Sequence, residues 1–290
     1  MSNGILDIET ALRLKGFHFR TPSKVRGYKA GIHKSYYHGI SPDFLDHKEY
    51  NKGDELKQID WRLYGRHDRL YVKKFEDEVN MRWCILIDKS ASMGYGENKS
   101  TKLNYAKKLS ATLAYLLLKQ GDSVGLLGFS EHDIEFIPPK AGSPFITPIV
   151  DKLESFKPSG TTGIKEPVLK ALEAYRSEAS FVIVSDFLIK PEKIEESLKL
   201  IRNSMKEVSL FHILHPDEID FDFRGSVEFE DMETNAKVIV DTDSIRHTYK
   251  KRMGKFIERL KMICHENETR YVFSLINKSI ENSLIEIADK

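Results

Sequence analysis

Two cysteines in 290 residues, Cys84 and Cys264, leave no disulfide framework and no C-x-x-C spacing for a metal or redox centre. Each falls inside an apolar-patterned segment, so both are expected as reduced core residues. No apolar run approaches the ~20 residues that a membrane-crossing helix needs. The first seventeen residues carry Asp7 and Glu9 and lack a continuous apolar stretch. A cytoplasmic protein without a transmembrane segment is the expectation. Nor does one sign of charge prevail: 45 Lys and Arg stand against 44 Asp and Glu, a formal net charge of +1, which removes any global attraction to nucleic acid or an anionic membrane. Gly94-Tyr95-Gly96 opens like a dinucleotide fingerprint, but residue 99 is Lys, and no P-loop occurs. Internal repeats and low-complexity tracts are likewise missing.

What remains is an alternation of strand-like and helix-like segments, beginning with Trp83-Cys84-Ile85-Leu86-Ile87. Val124 to Phe129, Phe181 to Ser185, Val208 to Leu214 and Tyr271 to Leu275 continue it, and their nearly unbroken hydrophobicity suits strands covered on both faces. Between them Leu103, Ala106, Leu109, Leu113 and Leu116 recur at steps of three and four, as do Tyr249, Met253, Phe256, Leu260 and Ile263. Those spacings give one apolar helical face each. Further helices are expected over 164–175 and, opened by Pro191, over 191–201. The expected fold is α/β, a doubly wound and mostly parallel sheet flanked by helices. Around Val227–Phe229 and Val238–Val240 the alternation breaks into a β-hairpin, an insertion at about 216–241 turning near Asn235.

The first eighty residues differ, with His33, Ser35, Tyr36, Tyr37, His38 and Gly39 close together. Arg13, Lys15, Arg20, Lys24, Arg26, Lys29 and Lys34 face only Asp7 and Glu9 in the first forty. Without a nucleic-acid-binding signature this reads as a solvated basic face, and no nucleic-acid partner is expected. The domain expectation is therefore a region 1–80 packing on a main domain 81–290.

Two aspartates stand where strands end. Asp88 opens Asp88-Lys89-Ser90-Ala91-Ser92, a D-x-S-x-S element, and Asp186 follows Phe181 to Ser185. In open α/β sheets, ligands bind beyond the carboxyl ends of the strands. The donors on offer are the carboxylates of Asp88 and Asp186, the hydroxyls of Ser90 and Ser92, and one from Ser159-Gly160-Thr161-Thr162-Gly163. An all-oxygen set selects Mg²⁺, with Mn²⁺ or Ca²⁺ as alternatives, over zinc or copper. Two carboxylates neutralise the ion and leave it receptive to an acidic side chain from a protein partner. Lys89 reads either as an exposed loop residue or as a basic contact for that partner.

This set resembles the metal-ion-dependent adhesion site of von Willebrand factor A domains. The resemblance implies that Ser90, Ser92 and Thr161 contact the ion, with Thr162 as the alternate, and that Asp88 and Asp186 bind it directly or through water. Upstream, Tyr50, Gly53, Asp54, Ile59, Asp60 and Trp61, with Arg66 beyond, resemble the Y-x-x-G-D-x-x-R-x-I-D-W signature of a bacterial domain-of-unknown-function family, number 58. Lys57 stands where that family often has Arg. His33, Ser35, Gly39 and Phe44 match its leader, and Asp231, Glu233 and Thr234 its late acidic hairpin. The resemblance implies a von Willebrand factor A-like domain, often encoded beside a MoxR-type AAA+ ATPase and other proteins with this domain, acting in chaperone-like assembly or maturation.

Three functions compete. The first is a non-enzymatic, Mg²⁺-dependent protein-interaction module. The second is a Mg²⁺-dependent phosphohydrolase with a strand-end Asp as nucleophile, disfavoured because Ser90 stands where such enzymes place a second Asp. The third is a scaffold whose loop is held by hydrogen bonds among the same side chains and takes no metal. Bland readings apply elsewhere: a packed Trp61 with paired Asp60 and Arg66, a surface turn at Glu131-His132-Asp133, and His212 and His215 on opposite faces of a strand rather than joint ligands.

Overall fold

The computed structural model describes residues 4–19, 44–50, 59–67, 69–75, 81–98, 100–176 and 179–288. The chain divides into two compact units, one of Met1–Pro22 with Met81–Lys290, the other of Ser23–Asn80. The expected 1–80 region is corrected accordingly, because its first twenty-two residues belong to the main unit. Helix α1 (Ile8–Arg13) is capped by the Asp7 carboxylate, which accepts from the Thr10 amide. It is tied down by the Asp7 amide on Thr112 Oγ1 at 3.3 Å and by the Phe19 amide on Gln120 Oε1 at 3.0 Å.

In the smaller unit, β1 (Phe44–Glu49) pairs antiparallel with β2 (Tyr71–Phe75), and α2 (Trp61–His67) lies between them in the chain. Asp60 Oδ1 caps α2 by accepting from the amides of Arg62 and Leu63. Trp61 is not the packed residue expected: it is 63% exposed, and its ring meets Tyr64 edge-on at 6.3 Å. His33, Ser35, Gly39, Gly53, Asp54, Lys57 and the Arg66 side chain lie outside the described residues.

The main unit continues with β3 (Arg82–Asp88), a short ribbon of β4 (Gly96–Glu97) and β5 (Ser100–Thr101), α3 (Lys102–Gln120), β6 (Ser123–Phe129), β7 (Ile134–Ala141), α4 (Ile146–Ser155), α5 (Lys165–Ala174) and β8 (Ser180–Ser185). After these come α6 (Pro191–Asn203), β9 (Glu207–Leu214), α7 (Pro216–Asp220), the hairpin β10 (Ser226–Glu230) and β11 (Lys237–Asp241), α8 (Thr242–Glu266), β12 (Arg270–Leu275) and α9 (Ile280–Ile285). Six strands form one sheet in the order β12-β9-β8-β3-β6-β7. All neighbours are parallel except β7, which returns antiparallel along β6 as an edge. The doubly wound α/β fold expected from the alternation is therefore what forms.

Burial on both faces explains the unbroken apolar runs. Alternate residues of β3 point to opposite layers: Ile85 and Ile87 pack with α1, α3, α4 and α9, whereas Cys84 and Leu86 pack with α5, α6 and α8. Both cysteines are buried and unpaired, as expected. Helix α3 shows how local sequence sets its ends. Thr101 accepts from the Asn104 amide at the start, and Gly121 at φ 98° closes the last turn, a conformation that a residue with Cβ resists. After β3 the chain crosses to β6 on one side, then returns to place β8 on the other. That reversal puts the topological switch point at the carboxyl ends of β3 and β8, where Asp88 and Asp186 stand.

Candidate functional site

Asp88, the last residue of β3, is fully buried and clasped from two sides. The Ser90 amide donates to Oδ1 at 2.8 Å and Ser185 Oγ donates to Oδ2 at 2.6 Å. Ser185 also accepts from the Phe187 amide at 2.9 Å, so one hydroxyl couples the ends of β3 and β8. Phe187 adopts φ 51°, a left-handed conformation costing on the order of 1–2 kcal/mol in a residue with a side chain, and it is held there by complete burial. The sharp turn this creates fixes Asp186, also fully buried.

Two loops lie side by side above the strand ends. The Ala91 amide donates to Gly160 O at 2.9 Å and the Ser159 amide to Lys89 O at 2.8 Å, bracketing Ser90 between them. Ser90 Oγ and Ser92 Oγ are 3.1 Å apart. Neighbouring ligands at about 2.1 Å from an octahedral Mg²⁺ stand about 3 Å apart, so this hydroxyl pair matches two adjacent vertices. Burial, and then the nearby Asp186 carboxylate, push the Asp88 carboxyl up to about 7. Ionising Asp88 here is therefore costly, a cost that a bound divalent cation would offset.

The remaining candidates are engaged elsewhere. Thr161 Oγ1 donates to the Glu131 carboxylate, and Thr162, buried where Thr161 is partly open, donates to Glu233 Oε1 at 3.0 Å. Asp186 Oδ2 accepts from Lys102 Nζ at 2.7 Å. The five oxygens thus divide: Asp88, Ser90 and Ser92 are brought together, Asp186 is close enough to raise Asp88, and Thr161 turns to the β6–β7 loop. Among the described residues no group of three or more His, Cys, Asp or Glu is spaced to hold an ion, so an ion here depends on the hydroxyls.

Lys102 is the residue the sequence did not single out. Its side chain is 1% exposed, and Nζ donates to Asp186 and also, at 2.7 Å, to Glu218 Oε1 of α7. Tyr95 covers the ammonium, its ring centroid 5.9 Å from Nζ. Glu218 is steadied in turn by the His215 amide, which donates to Oε2 at 2.7 Å in a capping box. One signal was present: a lysine in the first turn of a helix opposes the macrodipole and calls for an acidic partner. Lys89 also departs from expectation. It is buried rather than exposed, and its ammonium pairs with Asp133 and Glu135.

The bland readings hold for the other polar residues. Glu131-His132-Asp133 is the turn between β6 and β7. His212 is buried among Phe187, Phe256, Tyr271 and Phe273, with Nδ1 2.7 Å from Tyr271 Oη, and burial lowers it to about 4, so it is neutral. His215 caps α7 instead.

Residues 46–256 match the family model described as "Protein of unknown function DUF58". An uncharacterised protein of Mycobacterium tuberculosis is 22% identical over 234 residues, covering 79% of this chain and 73% of that protein. Among solved structures, an aerotolerance-related membrane protein from Bacteroides fragilis is 19% identical, with a TM-score of 0.49, over 71% of this chain and 98% of that one. The von Willebrand factor A domain of SpRpn10 is 11% identical, with a TM-score of 0.43, over 71% and 94%. The cytoplasmic placement expected from the sequence is corrected here. The Bacteroides fragilis protein is named for a membrane, and the want of a helix long and apolar enough to cross one among the described residues does not put a chain in the cytoplasm.

Two predictions follow from the charges. Lys102→Met leaves Asp186 and Glu218 without their buried cation and should lower stability by about 3–5 kcal/mol, read from urea denaturation. Because the folded chain keeps a proton on Asp88 between about pH 4 and 7 that the unfolded chain has released, stability in chelator should fall as pH rises through that interval. Urea midpoints from pH 5 to pH 8 should show that slope, and Asp88→Asn should flatten it.

Proposed function

The chain belongs to the DUF58 family, and on that premise we propose that the carboxyl edge of its sheet is a non-catalytic, Mg²⁺-assisted docking site for an acidic side chain of a protein partner. The observation that carries the reading is the hydroxyl pair of Ser90 and Ser92 at 3.1 Å beside a buried carboxylate raised to about 7. Asp88, Ser90 and Ser92 would hold the ion. Asp186 would join through the charge it already presents there. Thr161 or Thr162 would join only on leaving Glu131 or Glu233. Mn²⁺ or Ca²⁺ fits the same oxygen chemistry.

Charge supports a divalent guest. Asp88, Asp186 and Glu218 bring three carboxylates, Lys102 brings one ammonium, and His212 is neutral, so with all carboxylates ionised the cluster carries three negative charges less one positive. A bound Mg²⁺ supplies the missing two charges and polarises whatever oxygen completes its shell. A partner carboxylate is the natural completion, since it adds both charge and geometry.

Docking is favoured over phosphoryl transfer by the position two residues after Asp88. Ser90 lies there with its amide bound to Asp88 and its hydroxyl to Ser92, and a serine is a poor proton donor to a leaving alkoxide. The partner proposed is a MoxR-type AAA+ ATPase, or another protein with a von Willebrand factor A-like domain, in chaperone-like assembly or maturation. Family resemblance alone supports that choice.

Calorimetric titration with Mg²⁺ and Mn²⁺ should give one site in the wild type and none in Asp88→Ala, with the variant still folded by circular dichroism. Capture of the ATPase should be lost in chelator. Equal capture by Asp88→Ala in excess chelator would overturn the reading.

A further inference from the structure

The β10–β11 hairpin is anchored at its base and specialised at its tip. At the base Phe221 stacks on Tyr249 at 4.2 Å, Phe223 meets Phe229 edge-on at 5.1 Å, and Thr242 Oγ1 donates to Phe223 O and Gly225 O. This cluster secures the base of the insertion to α8. The turn at its other end reaches the sheet edge.

Asp231 Oδ1 accepts from the amides of Glu233 and Thr234 at 2.8 and 2.9 Å, and Asn235 takes φ 58°, so the tip is a clasped turn of fixed shape. It lays two consecutive side chains on the loops of the candidate site. The Met232 methyl comes within 3.3 Å of where a side-chain carbon on Gly94 would stand, beside the Pro158 ring at 3.0 Å. Glu233 then accepts from buried Thr162. By contrast Glu228 and Glu230 of the same hairpin pair with Lys237 in solvent. Glu233 therefore presents to the site the functional group required of a docking partner.

The geometry points to the hairpin tip as a built-in competitor: Met232-Glu233 covers the surface of Gly94, Pro158 and Thr162, and the partner that fits it carries an apolar side chain followed by a glutamate on a turn. Thr162 is then a specificity residue, releasing one carboxylate to take another. A tethered occupant acts at the high effective concentration of an intramolecular ligand. A partner's apparent affinity is reduced by the fraction of chains whose tip is lifted. The inference rests on the docking reading of this edge, but not on the ion.

The test uses a fluorescent peptide copying residues 226–241 as the probe. The receptor is the full chain with residues 231–236 replaced by Asn-Gly, the two-residue turn suited to the Glu230–Lys237 pair. In anisotropy titrations the short-turn chain, its fold checked by urea midpoint, should bind the peptide at least about ten-fold more tightly than wild type. The point variant Glu233→Gln of the full chain should move the same way, and the same change in the peptide should abolish the gain. Equal binding by wild type and both variants, or a Gln peptide that binds as well as the Glu peptide, overturns the inference. A gain that is identical in Mg²⁺ and in chelator supports the inference independently of the metal reading, which the calorimetric titration tests on its own, whereas a gain confined to Mg²⁺ supports both.

Discussion

Lys102 Nζ, enclosed between Asp186 and Glu218, ties together the first turn of α3, the end of β8 and the cap of α7. The Asp186 and α7 side of the carboxyl edge is arranged around that buried cation. A lysine ammonium taken from water without partners costs several kcal/mol, so its burial requires both carboxylates, and their burial requires it. The ion pair sets the position of Asp186, and Ser185 carries that position to Asp88. Tyr95 seals the ammonium from above and ties to Asp217 of α7 at 3.2 Å.

The same arrangement determines what the edge can do. One ammonium serves Asp186 and Glu218 and leaves Asp88, whose carboxyl burial and then Asp186 push up to about 7, without a cation of its own beside hydroxyls spaced as cis ligands. On the docking reading proposed above, the site is divided between an internal cation, Lys102, and a place for an external one. That division would serve a docking module, because Asp186 and α7 are held by Lys102 without help from an ion. Loop geometry then owes its order to the protein, and a bound ion would add charge and a coordination point for a visitor.

The strands and their order of burial were legible in the sequence because residues covered on both faces leave continuous apolar runs, as in Trp83 to Ile87 and Phe181 to Val184. Asp88 and Asp186 were legible for the same reason, each being the first charge after such a run. Lys102 was not, since its partners lie 84 and 116 residues away and local pattern carries no trace of them. Lys89 was misread on the same ground: a lysine in a loop is exposed by default, and only the β6–β7 turn brings Asp133 to it. That Thr161 turns to Glu131 and Thr162 to Glu233 was not legible either, since spacing does not encode which way each hydroxyl faces. Trp61 shows the converse error, an aromatic assigned to a core that leaves it in solvent.

The central claim is that Asp88, Ser90 and Ser92 hold a divalent ion while Lys102 keeps Asp186. Crystals grown with Mn²⁺ and measured for anomalous scattering test it directly. The account predicts one strong peak within about 2.3 Å of Ser90 Oγ and Ser92 Oγ, with the Lys102–Asp186 pair intact. A map without that peak, or with the ion seated between Asp186 and Glu218 in place of the lysine, would contradict it.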